Sequence, residues 1–429
     1  MANESFALSY APPRDVSRSV IAEIAFIALL LMMFVGLAPF APPVSPTSVM
    51  APAPGDTLRQ LLFLAIFFPI LFAAALHRGW NALRVVPPAL VAMLIWCFLS
   101  AFWSAVPDVT FRRAVLAAIV VISVMLSVDL IGPARAFLLW RIMLAIILVV
   151  NWLSIPLVHT AVHLPGEADP SLAGDWRGLY GQKNTAGAVC AMTAILFLFS
   201  RNGRHNWVGW VPAAAATGFL VMTHSKTSLG LFPIVLVAGA LYRFSWRDSL
   251  SRTIFLLGTI LILGLAAVIA LLNWEAISGL LSDPTALTGR AEIWQTTLAY
   301  MRDHPLLGAG FGTIAHTGAL SPLHGYARES WVEAIADSHN GYLQILIATG
   351  GIGLLLALWS MVADPLMRFW PLDPAHVEFK ALLFALFVFV LAHNFLETDF
   401  LESDNAAWFA FLVMLASLRA RDNSLTLRP

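Results

Sequence analysis

The stretch SHNGYLQILIATGGIGLLLALWSM, residues 338–361, decides how the whole chain is read. It passes without a break from His339-Asn340-Gly341-Tyr342 into an apolar run from Leu343 to Met361, with Gly350 and Gly353 at fixed spacing behind the histidine. A run of this length is close to the roughly 20 residues a helix needs to cross a ~30 Å hydrocarbon core. An imidazole that titrates near neutral pH and a carboxamide are therefore held at the mouth of a membrane helix, a placement that suggests chemistry rather than simple anchoring. The plainer alternative makes His339 a hydrogen-bonded interfacial residue and Asn340 a helix cap.

The rest of the chain has the same character. With 59% hydrophobic residues, 12% charged residues and a mean hydropathy of +0.80, its 429 residues are too apolar for an ordinary soluble domain. The apolar runs are continuous rather than alternating, which selects helices over a β-barrel. The expected fold is an all-α polytopic membrane protein, one integral membrane domain over residues 1–429. Its transmembrane helices, about twelve in number, are centred near residues 28, 68, 95, 121, 146, 192, 215, 235, 263, 352, 386 and 412. The first run, after Arg14 and Arg18, is long for a signal peptide and is read as an uncleaved span. Cys97 and Cys190 lie inside apolar runs as small hydrophobes, so neither a disulfide nor a metal framework is implied.

Charge fixes the expected orientation. With both termini in the cytoplasm, 16 of the 25 basic residues fall on the inner side, leaving Arg59, Arg112, Arg113, Arg177, Lys183, Lys226, Arg290, Arg302 and Arg328 outside. Two outer segments, residues 158–183 and 274–339, exceed simple turns. The second, between the ninth and tenth spans, contains an amphipathic helix with Ile293, Trp294, Leu298 and Met301 on one side, followed by the glycine-rich Gly308-Ala309-Gly310-Phe311-Gly312. A loop of this size, folded over the outer face, suits an active-site cover.

The outer arginines stand against the topological bias, and anion binding is a reason for them to be there. Guanidinium groups bind phosphate oxygens in a planar, bidentate way that low dielectric strengthens. Arg177 and Lys183 flank two glycines in RGLYGQKN just before an apolar span, where backbone N–H groups and a helix N-terminus could join them; a glycine turn capped by Asn184 is the alternative. Arg290 follows Thr288-Gly289 and could simply pair with Glu292. His339 could act as a general base, with Asp337 orienting it. Gly350, Gly351 and Gly353 would let a neighbouring helix approach. The acidic run from Glu397 to Asp404 is read as either a solvated loop or a holder of a divalent cation. Hydrolase, zinc and nucleotide-binding motifs are absent from the sequence.

Three blocks, in order, make the chain similar to the O-antigen ligase and polymerase superfamily of bacterial envelope glycosyltransferases. They are RGLYGQKNTAG from Arg177, TGRAEIWQTTLAYMRDHPLLGAGFG from Thr288, and SHNGYLQILIATGGIG from Ser338. The wording of the second block most resembles exopolysaccharide polymerases of the succinoglycan type. The resemblance implies a GT-C-type membrane glycosyltransferase in the bacterial inner membrane, working at the periplasmic face on undecaprenyl-pyrophosphate-linked glycans. It implies catalytic roles for Arg177, Arg290 and His339, the arginines at the donor pyrophosphate. Lys183, Asn184, Trp294, Asp337, Asn340, Tyr342, Arg112 and Arg113 are the expected substrate-binding residues.

The expected reaction polymerises repeat units, from a lipid-linked glycan donor to a lipid-linked acceptor. A flippase and a chain-length regulator of the same pathway are expected partners, along with membrane lipids but not nucleic acid. Because arginines can neutralise the leaving group, no cofactor and no metal are expected. The alternatives are an O-antigen ligase with lipid A-core as acceptor and, from another class, a lipid-glycan flippase or secondary transporter.

Overall fold

The computed structural model describes residues 20–41, 56–165, 167, 170–199, 207–282, 289–314, 320–326, 332 and 338–426. Its helices are α1 (Val20–Phe34), α2 (Thr57–Arg78), α3 (Pro88–Leu99), α4 (Pro107–Ile131), α5 (Pro133–Leu157), α6 (Lys183–Phe199) and α7 (Trp207–Met222). They continue as α8 (Lys226–Ser245), α9 (Ser249–Leu272), α10 (Trp274–Ser282), α11 (Arg290–Asp303), α12 (Gly341–Leu358), α13 (Val377–His393) and α14 (Ala406–Thr426). A π turn at Trp359–Ala363 carries α12 on into Asp364–Phe369. Among the described residues the β structure is one isolated bridge, Val162 to Trp176.

Local sequence sets where the helices begin. Asp56 accepts a hydrogen bond from the Arg59 N–H at the start of α2, Asp248 does the same for Ser251 at α9, and proline opens α3, α4 and α5. Among the described residues, 7 helices are long and apolar enough to cross a membrane: α2, α4, α5, α8, α9, α12 with its extension, and α13 with the turn before it. Shorter apolar helices are Val20–Phe34, Pro88–Phe102, Lys183–Phe199, Gly209–Met222 and Ala406–Ala420. Each centre expected from the sequence falls inside one of these helices.

Helix α14 is the centre of the bundle. Every residue from Ala406 to Leu418 is buried, so its uniformly apolar surface is used on all sides. The Phe409 ring meets Phe26 and Phe34 of α1 and Trp140 of α5. Helix α9 is the opposite case, equally apolar but exposed along its length, which suits a lipid-facing position. Ion pairs join residues that the charge count assigns to the same side. Arg78 meets Asp129, Arg135 meets Glu23 and Arg243 meets Glu378 at one end of the helices; Arg59 meets Asp404, Lys183 meets Asp175 and Arg290 meets Glu397 at the other.

The amphipathic helix of the large loop is present as α11, and it packs on α12 through a small apolar cluster that includes Ile293, Tyr300, Met301, Ile314 and Ile347. One expectation is corrected here. Leu298 is 47% exposed, because five residues turn it about 140° away from Ile293; Thr297, one residue earlier, takes the buried place.

Beyond α11 the chain enters a break in α12. Gly350 has φ 70° and ψ −174°, so the helical ladder is interrupted there. The freed groups are taken by residues 305–310. Ala309 and Gly310 donate to the Ile347 and Ala348 carbonyls at 2.8 and 2.9 Å, while Gly351 and Ile352 donate to Pro305 and Leu306 at 2.9 and 3.4 Å. The Trp96 indole donates to the Thr349 carbonyl at 2.9 Å. A broken helix in an apolar setting persists only when its loose groups find partners in this way. The glycines of α12 therefore do admit a close neighbour, but at Gly350 it is loop backbone rather than a helix.

Candidate active site

Glu397, in the turn between α13 and α14, is where the three sequence blocks meet. Its Oε1 accepts from Asn184 Nδ2 at 2.8 Å and from Arg290 Nη2 at 2.9 Å, and its Oε2 lies 3.8 Å from His339 Nδ1. Asn184 stands in the first turn of α6, Arg290 opens α11 after a left-handed Gly289, and His339 precedes α12. Arg290 Nη1 also donates to the Leu396 carbonyl. The His339 side chain is 41% exposed, so an imidazole backed by a carboxylate faces outward from a mostly buried cluster. Its backbone holds a left-handed φ of 47°, an uncommon conformation for a non-glycine residue.

Short-range contacts fix the cluster. The Asn340 side chain accepts from the Tyr342 and Leu343 N–H groups, capping α12 as the plainer reading of the sequence has it. Trp294 donates from its indole to the Ser338 carbonyl at 3.1 Å, tying α11 to the histidine segment. Tyr342 donates to the Leu391 carbonyl and packs against Phe395. The Gly341 N–H donates to the Asn394 and Glu397 carbonyls, and a Cβ at Gly341 would lie 1.9 Å from Asn394 Oδ1. Glycine is needed there for close approach.

Electrostatics favour an ionised Glu397. Burial pushes its carboxyl up, but His339, the Arg290 guanidinium and His393 outweigh that and hold it below the ordinary carboxylate range. A lowered folded-state pKa means that the stabilisation is complete above the unfolded value of ~4.3 and is lost as pH falls through the lower, folded one. The melting-temperature difference between wild type and Glu397→Gln is therefore expected to persist down to about pH 5 and to shrink below about pH 4. Thermal unfolding of both proteins across that range checks it.

The other expected site residues lie apart from Glu397. Arg177 is fully buried: it donates to the Thr160 and Gly181 carbonyls at 2.7 and 3.3 Å and meets Glu167 at 3.3 Å. Lys183 bonds Asp175 at 2.5 Å, and His224 holds the other oxygen of that carboxylate at 2.6 Å. Burial raises the Asp175 carboxyl, but Lys183 and His224 outweigh it and bring it below its ordinary value. Arg113 donates to the Gly312 carbonyl from α4, and Arg112 is half-buried beside it. Asp337 lies outside the described residues. The acidic run is divided among protein cations, with Asp399 on His393 at 2.7 Å and Asp404 on Arg59.

Sequence reasoning missed Glu397 as the hub. The available signal was the second His-Asn pair, His393-Asn394, which ends a span as His339-Asn340 begins one. Asn394 Oδ1 accepts from the Asp399 and Phe400 N–H groups and so shapes the turn that presents Glu397.

A bundle of apolar helices thus carries a helix of the large loop, α11, whose Arg290 meets the same carboxylate as His339. Residues 211–358 match the O-antigen ligase family model, and the likeness to the O-antigen ligase and polymerase superfamily read from the sequence blocks holds. The chain is also 23% identical over 292 residues to the exopolysaccharide production protein ExoQ of Rhizobium meliloti (strain 1021). That alignment covers 63% of this chain and 62% of the relative, less than two thirds of the relative's length.

Proposed function

We propose that the protein is a bacterial inner-membrane glycosyltransferase that polymerises undecaprenyl-pyrophosphate-linked repeat units at the periplasmic face. The observation that carries the reading is the convergence of Asn184, Arg290 and His339, one from each block, on Glu397. An acceptor hydroxyl attacks the anomeric carbon of the donor glycan as the bond from that carbon to the pyrophosphate oxygen breaks. His339 takes the hydroxyl proton, with Glu397 behind it. Arg290 stabilises the charge that develops on the leaving pyrophosphate. Arg177 and Lys183 hold the loop before α6, and through it Asn184, in position. The charge count supports an even number of crossings with both termini in the cytoplasm, and the family resemblance implies a GT-C kind of architecture with about twelve.

The description of the matched family favours a second reading, an O-antigen ligase with the same donor chemistry. Incubation of the purified protein with a defined lipid-linked repeat unit, followed by product sizing, separates the two. A ladder of longer lipid-linked glycans is the expected result; unchanged repeat units, elongated by neither enzyme nor time, would overturn polymerisation.

A further inference from the structure

A cavity of about 580 Å³ lies roughly three turns along α11 from Arg290, away from the cluster around Glu397. Its walls include Trp103, Tyr300, Leu306, Leu307, Leu320 and Pro322. The volume suits a small ligand or a segment of a longer one. Its polar groups are largely engaged with the protein itself: Asp303 accepts from the Tyr326 hydroxyl at 2.7 Å, the His304 ring stacks on Tyr300 at 4.4 Å, and Thr313 donates to the Gly310 carbonyl. A sugar ring would need several such atoms free, whereas a hydrocarbon chain needs none.

The surface leading to the cavity has the same character. Along α3 and the turn after it, Val91, Ile95, Leu99 and Phe102 are exposed at helical spacing, and the stripe ends at Phe102, which is 87% exposed next to the cavity wall at Trp103. On α12 and the π turn that extends it, Ile352, Leu355 and Trp359 are exposed from just beyond the Gly350 break. The two helices are joined where Trp96 bonds Thr349, and the Trp96 and Trp103 rings lie 5.4 Å apart. Trp103 in turn donates to the Leu307 carbonyl at 3.0 Å. A lipid-facing seam thus runs up to an aromatic-rimmed opening, the position tryptophan favours at a membrane interface.

The geometry points to this cavity as the seat of a polyprenyl chain, the lipid carrier of a glycan substrate, entering sideways from the bilayer along the seam between α3 and α12. The assignment rests on the lipid-linked-substrate reading above. A bulk phospholipid acyl chain shares the chemistry, so the experiment separates the two sources. Full-length protein in phospholipid nanodiscs is photolabelled with a diazirine-bearing polyprenyl phosphate that carries no sugar, and in parallel with a diazirine-bearing phosphatidylglycerol.

Polyprenyl label is expected on the peptides containing Trp103 and Leu307, and excess unlabelled polyprenyl phosphate should suppress it. Ala105→Trp, which fills the cavity from an exposed wall position, should reduce it about tenfold, the affinity carried by burying roughly two methylenes. Leu307→Glu, which places a charge in the same wall, gives the same loss by another route should the tryptophan variant fail to fold. Val268→Trp on the exposed face of α9 should leave the label unchanged.

Polyprenyl label that falls elsewhere, or that ignores both cavity variants, overturns the assignment. Equal labelling by phosphatidylglycerol that polyprenyl phosphate does not displace assigns the cavity to bulk lipid and overturns it too. Specific labelling without glycan transfer would count against the proposed reaction alone, and transfer without specific labelling against the cavity alone.

Discussion

Replacing Gly350 with alanine is expected to detach the glycine-rich loop from α12 and, with it, the support of α11. The new Cβ would lie 2.0 Å from the Leu306 carbonyl oxygen and 2.4 Å from the Leu307 nitrogen, both backbone atoms of the loop. No rotamer change relieves such a clash. A φ of 70° also disfavours any L side chain, by about 1–2 kcal/mol. The four backbone hydrogen bonds between residues 305–310 and 347–352 contribute about 1 kcal/mol each. Losing both effects destabilises this part of the structure on the order of 5 kcal/mol. The apparent melting temperature in detergent should fall by several degrees, and limited proteolysis should cut the variant, but not the wild type, between His304 and Ile314. Gly351→Ala, whose Cβ would only approach the Pro305 carbonyl at 3.0 Å, should be much milder. A Gly350→Ala protein with wild-type melting and protection would show that the break in α12 does not depend on this contact.

This dependence explains why some features were readable from sequence and others were not. Continuous apolar runs report helix positions directly, because hydrocarbon leaves the backbone no other partner; α2, α4, α5 and α12 sit where those runs predict. Caps are equally local, and Asn340 behaves as its position suggests. The partner of Gly350, the backbone at Leu306 and Leu307, is more than forty residues distant in the chain and is recognised by backbone, so no side-chain pattern announces it. Arg177 fails as a local signal for a related reason. A guanidinium beside two glycines looks the same whether it awaits an anion or is buried against Thr160, Gly181 and Glu167. Glu397 was hidden because one carboxylate in an acidic run carries no mark of the histidine and arginine that tertiary structure brings to it.

His339→Ala and Glu397→Ala are expected to fail at the same step. If Glu397 serves by orienting the His339 ring and stabilising the imidazolium that forms as it takes the proton, each substitution disables one general base and should lower the transfer rate about 10²–10⁴-fold. The double variant should then be no slower than the slower single one, since residues acting as a unit are not additive. Binding of a lipid-linked pyrophosphate separates their roles. His339→Ala should retain it. Glu397→Ala should retain or tighten it, because the carboxylate that shares Arg290 Nη2 at 2.9 Å would no longer compete with the ligand for that guanidinium. Arg290→Ala should weaken both binding and transfer. Single-turnover transfer and direct binding of a lipid pyrophosphate, measured on the four variants, test the whole set. Multiplying losses in the double variant would mean that Glu397 and His339 act independently, and weakened binding in Glu397→Ala would mean that the carboxylate holds Arg290 ready for the pyrophosphate instead of competing with it. On the proposed mechanism a pyrophosphate that takes Arg290 would relieve Glu397 of one partner and leave the carboxylate to stabilise the imidazolium that forms as His339, at 3.8 Å, takes the acceptor proton, so that donor binding and preparation of the base would be coupled.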